Sequence, residues 1–173
     1  MHTVKFSYSK PAGDRRHYLN EADVSVLLSR LPYETWQPLK AVHFNDQGRG
    51  VRTLGYVTAG HREIAICALP PQVSLTRFLK RRYKESPAEF GAQRGKQWPL
   101  LAVRRYLLYD VFLHELGHLQ IVDPTNKDPQ KRYASQHKAQ EFALHWRRTL
   151  WKSDFDHPDP VHNRPSKEEL EAL

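Results

Sequence analysis

The chain has 173 residues, 39% of them hydrophobic and 27% charged, and 27 Lys and Arg against 19 Asp and Glu give a formal net charge of +8. That length suits one domain with a single core, and a lone cysteine, Cys67, excludes both a disulfide framework and a cysteine-rich zinc ribbon. No apolar run approaches the roughly 20 residues of a membrane span, and residues 1–6 lack the apolar stretch of a signal peptide, so a soluble cytoplasmic protein is expected.

Residues 1–38 read as an arm followed by a short helix. The arm (1–20) carries Arg15-Arg16-His17 and little periodicity. Residues 21–31 are amphipathic, with Asn20 as a suitable N-cap and Pro32 as a stop. Three short apolar runs follow, at 39–44, 51–58 and 63–67, separated by turn-forming stretches at 45–50 and 58–61. They predict a small antiparallel sheet, arranged as a meander. Residues 72–83 read as a helix ending in Lys80-Arg81-Arg82-Tyr83-Lys84. With the +8 charge, that run fits a nucleic-acid contact, DNA included. It fits equally a helix C-terminus whose cations complement the dipole. Residues 86–97, with Pro87, Gly91 and Gly95, predict a loop.

Pro99 opens the next helix, which should run to about residue 122 before Asp123-Pro124 breaks it. Val103, Leu107, Leu108 and Val111 recur at helical spacing and lead into His114-Glu115-Leu116-Gly117-His118. Four residues apart on a helix, His114 and His118 project from one face and can both ligate one Zn²⁺. Two imidazoles in place of buried Leu are costly without a partner. Glu115 is placed to take a proton from a zinc-bound water, whose pKa falls towards roughly 7. This is equipment for hydrolysing a peptide bond. Gly117 inside a helix costs roughly 1 kcal/mol against Ala, which implies close packing there.

A catalytic zinc site usually has three protein ligands. The polar linker at 123–132 is followed by a helix predicted over 134–151, with Ala139, Phe142, Ala143, Trp146 and Leu150 on its stripe. It offers Gln136, His137, Glu141 and His145. Spacing from His118 favours His137, and the texture of Gln140-Glu141-Phe142-Ala143 favours Glu141. A helical wheel puts both towards the far side of the stripe and Gln136 on its margin, although Gln is a poor zinc ligand. His137 is preferred because a residue at the helix N-terminus need not follow the wheel, with Glu141 as the alternative. The tail at 152–173 is proline-rich and predicted irregular; His157 and His162 are reserve ligands.

In this order the residues resemble the SprT-like zincins, the family of bacterial SprT and the Spartan proteases. The matching stretches are Arg52-Thr53-Leu54-Gly55-Tyr56, Glu63-Ile64-Ala65-Ile66, His114–His118, and His137 leading into Glu141-Phe142. The resemblance spans about residues 40–150. It departs from the family in a longer His118–His137 interval and in placing His137 one residue further from Phe142. It implies an α+β zincin domain over 39–151, with a small sheet packed on the motif helix and a ligand helix after it. The implied protein is a zinc metalloendopeptidase acting on a protein or peptide, with DNA as an implied recruiter. A weaker resemblance, to ImmA/IrrE-type zincins through Ala139–Ala143, would put the ligating Glu at Gln136. It supplies the alternative of a non-proteolytic, DNA-associated or regulatory zinc module.

Overall fold

The computed structural model describes residues 2–48, 53–58, 60–82, 85–121 and 129–173, without the side chains of 80–82 and 129–134. Arg52 and the side chains of the basic run at 80–84 thus lie outside the described residues. The fold is mixed α and β, with one four-stranded sheet, helices between its first two strands and further helices through the second half of the chain. No helix among the described residues is long and apolar enough to cross a membrane.

The sheet is not the expected antiparallel meander. Its order is β1 (Lys5–Tyr8), β2 (Ala41–Asn45), β4 (Glu63–Cys67), β3 (Gly55–Thr58). β1 and β4 both run parallel to β2, and only β3 is antiparallel, to β4. The turn between β3 and β4 is the hairpin expected from the sequence. From β2, by contrast, the chain goes to the edge strand β3 and returns in β4 between the two, parallel to β2. Part of the supposed N-terminal arm therefore belongs to the sheet, with Lys5 opposite Ala41 and Tyr8 opposite Phe44. The two central strands are buried almost throughout, as strands covered on both faces are.

Helix α1 (Glu21–Arg30) begins as predicted, in a reciprocal cap: Asn20 Oδ1 accepts from Asp23 N and Asp23 Oδ2 from Asn20 N. A one-turn α2 (Tyr33–Trp36) and α3 (Thr76–Arg82) follow, and the predicted loop after α3 contains a 3₁₀ turn at Pro87–Phe90. The central helix is α4 (Leu100–Tyr106), a π-helical stretch (Leu107–Phe112) and α5 (Leu113–His118), one after another. Every residue from Leu107 to His118 is buried, so this rod is enclosed on all sides. Helix α6 (Pro129–Lys152) starts five residues earlier than the sequence suggests.

The tail is not irregular. Asp159 caps a 3₁₀ turn at Pro160–His162, and Ser166 caps α7 (Lys167–Glu171). Arg105, fully buried on α4, ties this segment down by donating to Asn163 O, Pro160 O and both oxygens of Glu169. His162 Nδ1 accepts from Tyr109 Oη at 2.8 Å, and its ring packs 4.7 Å from that of His157. Burial holds the His162 imidazole down, at about 4. The unfolded chain then binds a proton that the native chain refuses between pH 6.5 and 4, so stability falls as pH drops through that window. The expected loss is about 3 kcal/mol. His162→Gln, which keeps an acceptor for Tyr109, should flatten the decline of the urea midpoint between neutral pH and the lower end of that window; an unchanged slope would exclude His162 as its source.

Candidate metal centre

The approach of α6 to α5 is set by one glycine. A Cβ on Gly117 would lie 2.8 Å from the carbonyl oxygen of Ala139 and 2.9 Å from its Cα, too close for any other residue without moving the helices apart. This contact fixes the rotation of α6, turning Ala139, Gln140, Ala143 and Arg147 inward, all buried. Gln136, one turn before Gln140, lies on the same face and is exposed.

On that face the two motif imidazoles meet an amide. Oε1 of Gln136 lies 2.7 Å from His114 Nε2 and 3.2 Å from His118 Nε2. The rings stand at 79° to each other with centroids 4.9 Å apart. Behind them His114 Nδ1 is 2.8 Å from Gln140 Oε1, and Gln140 Nε2 donates to Asp110 Oδ1 at 2.8 Å. Asp110 also accepts from Arg147, whose guanidinium reaches on to Glu85 at 2.6 Å. Glu115 is buried on α5.

His137 and Glu141 are not brought to this place. They pair with each other at 2.8 Å on the outer side of α6, their side chains 51% and 63% exposed. Among the described residues no group of three His, Cys, Asp or Glu is arranged to hold a metal ion. The preference for His137 assumed that it lies at a helix N-terminus; α6 begins at Pro129, so residue 137 is two turns inside and obeys the wheel. The signal that identifies Gln136 was the stripe margin itself. His157 and His162 are also elsewhere: their rings pack on each other, and His162 lies against Tyr109 while its carbonyl accepts from Arg30.

Other buried ionisable groups cluster around the same rod. Burial pushes the Glu85 carboxyl up to about 7 despite Arg147 beside it. Burial likewise pushes the Cys67 thiol up to about 11, which makes it unreactive as a thiolate near neutral pH. The outer strand β3 lies against the central helix, and Gly55 allows this: a Cβ there would come 2.9 Å from Val111 Cγ1. A cleft of about 750 Å³ between α4 and the tail contains no motif residue. No protein-family model matches the chain, and no curated protein or solved structure matches it either.

Proposed function

We propose that this chain is a zinc-dependent metallopeptidase of zincin type. One observation carries the reading: two helical imidazoles, four residues apart, turn their Nε2 atoms onto a single oxygen atom. His114, His118 and the amide of Gln136 would hold the ion. The donor types suit zinc, with two nitrogens and one oxygen. Bonds of about 2.0–2.1 Å at tetrahedral angles separate donors by roughly 3.3 Å, so the Gln136 oxygen, at 2.7 Å from His114, has to draw back slightly. Its exposed position leaves room for that. A zinc ion held there would supply an acidified water and polarise the scissile carbonyl.

The chain's own groups do the rest. Glu115, next to His114 and enclosed by protein, takes the proton of the attacking water on its carboxylate and passes it to the leaving amine. β3, an edge strand of the sheet, can align an extended peptide through its main chain beside α5. The +8 charge suits an acidic partner such as DNA. Glu115→Gln tests the mechanism, because it removes the proton acceptor and spares both imidazoles. Zinc content should stay at the wild-type level while cleavage of an unfolded protein substrate falls by at least about 10²-fold. Cleavage at the wild-type rate would refute Glu115 as the base.

Gln136 favours a second reading. A neutral amide stands where catalytic zinc sites place an imidazole or a carboxylate, and this is the position at which the ImmA/IrrE-like pattern would have its Glu. A regulatory zinc module that binds without turnover accounts for that substitution. Wild-type protein carrying stoichiometric zinc and cleaving no unfolded substrate would decide for it.

A further inference from the structure

The buried polar groups behind His114 form a chain in which each hydrogen bond has only one possible direction. Arg147 is wholly buried and can only donate. It gives one N–H to Asp110 Oδ1 at 2.7 Å and another to Glu85 Oε2 at 2.6 Å. A carboxylate held by a guanidinium accepts and does not donate. The group that Gln140 presents to the same Asp110 oxygen, 2.8 Å away, is therefore its NH₂. Its carbonyl oxygen is then fixed towards His114, and at 2.8 Å from an oxygen acceptor Nδ1 has to carry the proton. Reversing the amide would set its oxygen against the Asp110 carboxylate, whichever tautomer His114 adopts.

We infer that Arg147 and Asp110, acting through Gln140, are positioning residues that set the His114 proton on Nδ1. In the neutral ring Nε2 is then the nitrogen without a proton, and the Gln136 amide 2.7 Å away has to turn its NH₂ towards it until a metal is held. The usual partner of a ligating histidine is a carboxylate or a main-chain carbonyl; here an amide is interposed, and a buried Arg–Asp pair determines which way it points. The use made of the bare Nε2 rests on the metallopeptidase reading, whereas the position of the proton does not.

The test uses metal-free protein with ¹⁵N-labelled histidine at about pH 8, where imidazoles are ordinarily neutral. NMR of the ring nitrogens should find the wild-type His114 proton on Nδ1. Gln140→Leu removes the acceptor and should move the proton largely to Nε2. Asp110→Leu keeps the bulk and serves as a second variant, in case the first does not fold. It leaves Gln140 no acceptor by which to choose its orientation, so a mixture of the two tautomers is expected. Gln140→Glu restores an acceptor and should return the proton to Nδ1. In zinc titrations of the same proteins, Gln140→Leu should weaken binding by about 10- to 100-fold. A wild-type proton on Nε2, or wild-type tautomer and zinc affinity in both Gln140→Leu and Asp110→Leu, would overturn the inference. Protein that holds the proton on Nδ1 and binds no zinc would defeat the metallopeptidase reading and support the assignment of the proton.

Discussion

Arg147→Met is expected to destabilise the protein by about 3–5 kcal/mol, the cost of removing one partner from a buried charge pair. For a chain of this size that is on the order of 10 °C in Tm. Arg147 is 0% exposed and is the shared partner of Asp110, Glu85 and Glu89, with its guanidinium 4.9 Å from the centre of the Phe90 ring. Methionine fills much of the same volume, so the loss comes from two carboxylates left in a closed interior rather than from a cavity. The loss should grow with pH. Burial already raises Glu85 to about 7, and Arg147 is what lowers it. Without Arg147 the folded-state value rises further above the unfolded one. Below about pH 7 both proteins carry Glu85 protonated; above it the wild-type carboxyl ionises beside Arg147, and the variant's has no cation to ionise against. The gap to wild type should therefore widen above about pH 7, and Glu85→Gln added to Arg147→Met should recover part of the deficit there. Equal urea midpoints for wild type and Arg147→Met at neutral pH would show that the buried network does not hold α6 to the central helix.

The helix bearing the motif was legible because two independent signals coincide in it: a sustained helical stripe from Val103 to Val111, and a short motif that interrupts it with costly imidazoles. The cap of α1 was legible for a similar reason, since Asn20 with Asp23 three residues on is a local pattern that needs no tertiary information. Strand pairing was not. Runs of four or five residues say where extended chain lies but not which neighbour it takes, and β1, with a single Phe between polar residues, has too short an alternation to detect. The tail was misread for an electrostatic reason. Arg104 and Arg105 look like ordinary surface cations on α4, and nothing nearby in sequence announces Asp159 and Glu169, more than fifty residues on, as their partners. Burying those two arginines is what gives a proline-rich segment a defined course.

At the third corner of the site two rules conflict. Ligand chemistry prefers His137 or Glu141, and periodicity prefers Gln136. The contact of Gly117 with the Ala139 backbone sets which of them faces the imidazoles, because α6 cannot be turned by the 100° per residue needed to bring in another side chain without separating the helices.

Gln136→Glu should therefore change zinc binding more than any other single substitution. The donor set of two neutral imidazoles and an amide leaves a bound Zn²⁺ at +2, and a carboxylate lowers it to +1. At an effective dielectric of about 20, a unit charge roughly 2 Å from a divalent ion gains about 17 kcal/mol gross. Desolvation of the carboxylate offsets most of this. If even a quarter survives, affinity rises by about three decades. Gln136→Leu removes a donor and should lower affinity, while His137→Ala and Glu141→Ala, both on the outer side of α6, should leave it unchanged. Competition against a chromogenic chelator measures all four without depending on catalysis. If Gln136→Glu and Gln136→Leu both titrate like wild type, Gln136 is not a donor. If His137→Ala alone abolishes binding, α6 has to turn by about 100° when metal enters, and the Gly117–Ala139 contact then becomes the hinge of that motion instead of its lock.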